Sequence, residues 1–403
     1  MARKIIGRLK EYSKSDLANI IVIKGAGRAF CAGGDVAALA QWDKSGEADK
    51  ANDYFALEYK LDHLIASYQK PYVAYMDGIT MGGGVGLSVH APFRIATENT
   101  VFAMPETTIG FYPEVGASFF LPRMDGEMGA YLALTSEQLK GVDVFYHGIA
   151  THYLHSTSLD ALSERLAELQ FKDYTTLEER YKIIASTIAE FTTGLPSSRP
   201  AIHGAQRKAI DSCFAKRSPL EILAALKEVS ESSSDAKVKE WADRTIKTIR
   251  ERSPIGVAVS LKEMSEGKKW NIAQAFHNEY AISSHFMNHP DFVEGVFARL
   301  IERKKERPNW KPNQLEDVTD TEVQKFFSGP TGEAGGQISL LETGDAAAYS
   351  QYPHAWLALP TEEQVLRLKK SGKSSEEIVQ HFEKEKDGKI GVREKVEEVL
   401  ERH

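Results

Sequence analysis

Two cysteines in 403 residues, Cys31 and Cys213, are far apart in sequence and too few for a disulfide framework. Such scarcity fits a reducing compartment, the cytosol or an organelle matrix. No run of eighteen or more apolar residues occurs, so no membrane-spanning helix is expected. Positive charge is in deficit as well: 50 Lys and Arg stand against 57 Asp and Glu, for a formal net charge of −7. No global basic field therefore draws the chain to nucleic acid, although a local basic patch is compatible with that sum. Metal-ligand spacing is lacking too. His90, His277 and His285 have no acidic or cysteine partners at such spacing and read as packing or surface residues.

What is present suits a sizeable core: 42% of residues are apolar, and the length suggests one large domain plus something smaller. Ile20–Lys24, Tyr72–Met76, Phe93–Thr97 and Val101–Ala103 read as short buried strands. Helices are expected from about Val36, over residues 51–69, and from about Leu87. Met1–Tyr12 reads as a surface helix with Ile5, Ile6 and Leu9 on one face. Alternation of strands and helices predicts an α/β layered architecture. From Leu159 to Lys305 the pattern turns mostly helical, with starts marked by Ser158, Thr176 and Ser218. Residues 328–347, rich in Gly, Ser and Thr, read as a linker. Beyond it, Thr361 with Gln364 and Ser374 with Glu377 have capping-box spacing, and a last helix runs from about Val392 to Glu401.

Two glycine-rich turns each follow a strand: Phe30–Asp35 (FCAGGD) and Met81–Gly86 (MGGGVG). Glycine lets backbone N–H groups approach a ligand with no β-carbon in the way, and two such groups can hold a developing oxyanion. Neither turn continues into Gly-Lys-Ser/Thr, and neither has the dinucleotide spacing G-x-G-x-x-G, so nucleotide phosphates are not the expected ligand. Singly, each is more often just a tight turn. Shortly after them, Phe102–Gly116 reads FAMPETTIGFYPEVG, with Glu106 and Glu114 each following a proline among apolar residues. Two surface turn residues would be the plain reading. The apolar context, however, raises a carboxyl pKa and suits it to acid–base or nucleophilic work.

The strings KGAGRAFCAGGD, QKPYVAYMDGITMGGGVGLS, FRIATENTVFAMPETTIGFYPEVG and DFVEGVFARLIERKKERPNWKP resemble the crotonase superfamily, and within it the 3-hydroxyisobutyryl-CoA hydrolase family. The likeness covers roughly residues 1–327. It implies a crotonase-like ββα superhelix core with a helical C-terminal region, an acyl-CoA substrate, and no cofactor beyond the coenzyme A of that substrate. It implies an oxyanion hole from the amides of Gly34 and Gly83. It makes Glu106 the catalytic carboxylate, which either attacks the thioester or activates water. Glu58 is placed at the substrate by the resemblance alone. Valine catabolism in the mitochondrial matrix is the implied setting, and a homo-oligomer is left open.

Two departures from the hydrolase pattern, and one contrast with the superfamily's hydratases, stand out. Glu114 stands where these hydrolases usually carry Asp, so its carboxylate reaches one methylene further. Gly86 stands where hydratases of the superfamily carry a second catalytic glutamate, which favours hydrolysis over hydration; isomerisation, which needs one carboxylate, is not excluded by it and stands as the lesser alternative. The family also opens with a strand and a loop of the NRP…NAL type that contact coenzyme A, and Met1 aligns with the helix after it, which puts coenzyme-A affinity in question. The tail, residues 348–403, extends past the ordinary hydrolase. It resembles fungal members that also serve the small subunit of the mitochondrial ribosome, and it reads as a separate helical module or an arm docked on the body.

Overall fold

The computed structural model describes residues 1–328 and 338–403. Its first six strands come in pairs joined by short turns, and each pair sends one strand to each of two sheets. The strands are β1 (Ile21–Lys24), β2 (Ala29–Cys31), β3 (Tyr72–Met76), β4 (Ile79–Met81), β5 (Phe93–Ala96), β6 (Val101–Ala103), β7 (Leu139–Lys140) and β8 (His152–Tyr153). One sheet has the order β1-β3-β5-β8, all parallel; the other is β2-β4-β6-β7, parallel except for β7. All five residues of β3 are buried, as befits a central strand covered on both faces. The expected ββα superhelix is thus present. Gly78, at φ +97°, makes the sharp β3–β4 turn against the Arg28 backbone.

Helices follow the pairs. Val36–Lys44 and Ala48–Ala66 come after β2, and Gly83–Gly86 after β4. The helix expected from Leu87 therefore starts and ends earlier. The glycines carry no side chains to resist the coil, and Ser88 Oγ, just beyond it, donates back to the carbonyls of Gly84 and Val85. Helix Ala2–Lys14 lies at the surface as expected, with Leu9 buried and its carbonyl accepting from Tyr68 Oη at 2.6 Å. Thr176 and Ser218 form full capping boxes, the latter with Pro219 at the first helical position. Ser158 precedes a helix without capping it through its side chain.

In the stretch read as a linker, residues 329–337 lie outside the described residues, while Ile338 and Ala347 are buried. Thr361 and Ser374 both form the expected capping boxes, on helices Glu362–Lys370 and Ser375–Glu385. These two and Val392–Arg402 are docked on the body. Val365, Phe382, Val396 and Val399 join the same apolar core as Tyr131, Phe214 and Trp241. Where the docked face meets the body, charge is neutralised by pairing. Arg402 bonds Glu362 at 2.8 Å and Glu398 at 3.0 Å, and Lys395 bonds Asp125 at 2.8 Å.

Candidate active site

The helix Ala48–Ala66 builds one wall. Tyr54, Glu58 and Asp62 recur every four residues and so share one face. Tyr54 Oη donates to Glu58 Oε1 at 3.3 Å. This stripe runs along the glycine turns. A β-carbon on Gly34 would overlap Tyr54 Oη, one on Gly83 would overlap the Glu58 carboxylate, and one on Gly86 would sit 2.5 Å from Asp62 Oδ2. Absence of side chains in the turns is what lets the wall close on them.

The two turns also meet each other. The β-carbon position of Gly83 lies 3.7 Å from the Gly34 amide nitrogen, and that of Gly82 lies 3.4 Å from Gly33 Cα and 3.7 Å from Glu106 Oε1. Gly83 opens its short helix, so its N–H has no intrahelical acceptor. The two turns and the carboxyl of Glu106 thus border one small space. Glu106 begins a 3₁₀ turn after Pro105, is 5% exposed, and its Oε2 has no hydrogen-bond partner among the described residues. Burial pushes its carboxyl up to about 8; its own backbone amide opposes this, and the charges of Glu279 and Glu58 add to it.

Glu114 is buried to the same degree, and its Oε2 is likewise unpartnered. Burial raises its pKa well above the usual range, with Glu58 and Glu106 adding to the effect. Its direction is set by an unusual turn. Val115 has φ +57°, a strained value for a β-branched residue, and Gly116 follows at φ +84°. Glu279, on helix Ile272–Phe286, holds that turn: it accepts from Gly116 N at 2.7 Å, Ser118 N at 2.9 Å and Ser118 Oγ at 2.6 Å. Burial raises Glu279 to about 7 against these bonds. His90 Nε2 donates to the Val115 carbonyl at 2.8 Å. Burial lowers this imidazole to about 4, so it is neutral at pH 7.

Of the residues expected at the site from the sequence, Gly34, Gly83, Glu58 and Glu106 lie together at the two turns, and Glu114 is near enough for the charges of Glu58 and Glu106 to raise its pKa. Glu58 is half-buried rather than solvated, and burial lifts it to about 7 while the Tyr54 hydroxyl opposes the rise. The sequence reading missed Asp62, Glu263 and Glu279, three carboxyls with no measurable or very little exposure. Asp62 stands one helical turn after Glu58 and was findable by that spacing. Glu263 and Glu279 come from helices far along the chain, and nothing local marks them. A separate cleft of about 1050 Å³, beside Phe214, Leu220, Leu261 and Val318, is lined by none of these groups.

Such a constellation can polarise a carbonyl with two amides while a buried carboxylate attacks it or takes a proton from water. Over residues 1–327 the chain matches the enoyl-CoA hydratase/isomerase family model. The chain belongs to the enoyl-CoA hydratase/isomerase family. Within this family it is 50% identical over 411 residues to small ribosomal subunit protein mS47 of Neurospora crassa, covering 100% of this chain and 80% of that protein. It is 42% identical over 328 residues to mitochondrial 3-hydroxyisobutyryl-CoA hydrolase of Rattus norvegicus, covering 81% of each. Among solved structures, a carnitinyl-CoA dehydratase from Mycobacterium thermoresistibile superposes with TM-score 0.72 at 30% identity, over 85% of this chain and 91% of that one.

Proposed function

We propose that the chain hydrolyses a short branched 3-hydroxyacyl thioester of coenzyme A, 3-hydroxyisobutyryl-CoA, in the mitochondrial matrix. The observation that carries this reading is the convergence of the Gly34 and Gly83 turns on the buried carboxyl of Glu106. The thioester oxygen sits between the two amides and takes up negative charge as the carbonyl carbon becomes tetrahedral. Glu106, ionised, either bonds to that carbon or removes a proton from the water that does. The C–S bond then breaks: on the water route Glu106 passes its new proton to the sulfur and coenzyme A leaves as its thiol, whereas on the direct route coenzyme A leaves as thiolate and water then cleaves the anhydride, restoring the Glu106 carboxylate and releasing the proton that the thiolate takes up. Glu58, with Tyr54 behind it, borders the Gly83 turn, and Glu114 orients the substrate hydroxyl or the water. Gly86 offers no carboxylate of its own, although Asp62 lies beside it. The test is therefore comparative. Purified protein should release free thiol from 3-hydroxyisobutyryl-CoA and not from crotonyl-CoA; hydration of crotonyl-CoA without thiol release would replace this reading with a hydratase.

A second reading is membership of the mitochondrial small ribosomal subunit. The Neurospora crassa relative aligns along the whole chain, tail included, whereas the Rattus norvegicus hydrolase aligns over 81% of it. That pattern favours a role for the tail beyond hydrolysis. Sedimentation of mitochondrial lysate at low salt tests it: the protein should run with the small subunit, and confinement to light fractions removes this reading.

A further inference from the structure

The segment that enters the tail is bound to the body beside the site. His63 Nε2 bonds the Ala347 carbonyl at 2.7 Å, and Ile272 N donates to the Tyr349 carbonyl at 3.0 Å. Tyr349 Oη donates to the Ala66 carbonyl at 3.1 Å, and Arg123 Nε to the Ser350 carbonyl at 3.2 Å. Thus held, Tyr352 packs edge-on against Phe119, with ring centroids 5.0 Å apart. Its hydroxyl lies 2.8 Å from His90 Nδ1.

The proton positions on His90 follow from its partners. A carbonyl only accepts, so Nε2 carries the proton it gives to Val115; in the neutral ring Nδ1 is then an acceptor, and Tyr352 is its donor. The ring touches Phe276 and Phe120 at centroid distances of 5.5 and 6.3 Å. A β-carbon on Gly116 would overlap it. Imidazole, Val115 carbonyl and left-handed turn therefore form one packed unit that ends at the Glu114 backbone.

We propose that Tyr352, a residue of the tail, positions Glu114 through His90, so that the tail segment 347–354 is part of the working site rather than an appendage to it. A strained turn persists only where its surroundings over-determine it. Here one hand of that constraint, Glu279, comes from the body, and the other, His90, is oriented from the tail. This rests on the hydrolase reading for its rate measurements and on geometry for the rest. Anything that draws the tail onto another surface would release Tyr352 and loosen Glu114.

The experiment is a double-mutant cycle on the full chain. Tyr352→Phe removes one hydroxyl and keeps the ring packing. It should lower kcat about three- to tenfold, the range a net hydrogen bond is worth, with KM nearly unchanged. In a Glu114→Ala background the same change should cost almost nothing, because its route to the chemistry is gone. His90→Gln, which can still donate to the Val115 carbonyl, should retain part of the activity and be insensitive to Tyr352→Phe. Equal losses in both Glu114 backgrounds would overturn the proposal, leaving Tyr352 as packing alone. Should the wild-type chain release no thiol at all, the hydrolase reading falls, and carbon-13 spectra still decide this one. Tyr352→Phe must shift the Glu114 carboxyl resonance and its titration midpoint; an unmoved resonance overturns it.

Discussion

Glu106 gains its chemistry from burial, and burial sets the pH at which it can act. A carboxyl raised to about 8 is mostly protonated at neutral pH, and only its ionised form can attack or take a proton. Turnover should therefore climb with pH through about 8, read as the acid limb of kcat/KM. A limb near 5 instead would show that another group governs the rate. Glu106→Gln should cut thiol release by about 10²–10⁴ while leaving the fold intact by circular dichroism. At Glu114, Asp keeps a carboxylate one methylene shorter and should hold or raise activity, whereas Ala should lower it; equal losses would mean the longer arm is required here. Asp62 offers a different measurement. Both of its oxygens are buried and unpartnered, and burial, then the charges of Glu58 and Glu279, raise its pKa well above the usual range. A carboxyl raised on folding contributes stability at low pH that is lost as pH rises through its folded value. Each pH unit over which the folded state holds one extra proton costs about 1.4 kcal/mol. Melting temperature should thus fall as pH rises above the ordinary carboxylate range, and fall less steeply in Asp62→Asn, which cannot ionise. Parallel slopes would refute a buried protonated Asp62.

At the scale of elements, the decisive contact is helix Ala48–Ala66 against the Gly83–Gly86 turn. Gly83→Val puts branched carbons where the Glu58 carboxylate lies, so the turn must open or the helix retreat. Loss of one oxyanion donor is worth roughly 3–4 kcal/mol in the transition state, which should appear as a sharp fall in kcat. An active, normally folded Gly83→Val protein would make the turn purely structural. Legibility at this scale was uneven for physical reasons. Strands β3 and β6 have the expected bounds because continuous apolar runs flanked by Gly or Pro leave few alternatives. Capping boxes at Thr176, Ser218, Thr361 and Ser374 depend on residues three apart, which sequence displays directly. The helix expected from Leu87 lies instead at Gly83–Gly86, because glycines that read as a turn are the ones that coil there.

For the whole molecule, the tail closes the body. Arg402 is buried among Glu362, Glu398 and Asp211, and removing one partner of such a group leaves charges uncompensated. Arg402→Met should destabilise by about 3–5 kcal/mol, measured by chemical unfolding. Glu362 adds a pH signature of opposite sign to that of Asp62. Burial would raise it, but hydrogen bonds and charge from Arg402 hold it at about 2. Its stabilisation is present above the usual carboxylate range and is lost as pH falls toward 2, a loss that Arg402→Met should abolish. Deleting residues 348–403 would uncover the apolar face now shared with Val365, Phe382 and Val396, and should lower both stability and turnover. An unchanged melting temperature after deletion would show the docking to be energetically empty.

Local features were legible in the sequence by itself. Glycine clusters, prolines before carboxylates and capping pairs are short-range facts; they drew attention to the two turns, Glu106 and Glu114, while the family resemblance singled out Gly34, Gly83 and Glu58. Distance along the chain hides the rest. Glu279, Glu263 and His90 reach the site from separate elements, and Tyr352 comes from the tail. Helix Ile272–Phe286 packs on helix Ala48–Ala66 and holds the Gly116 turn through Glu279, and segment 347–354 brings Tyr352 to His90. Burial, which moves every carboxyl pKa at the site, belongs to that packing and to no single stretch of sequence.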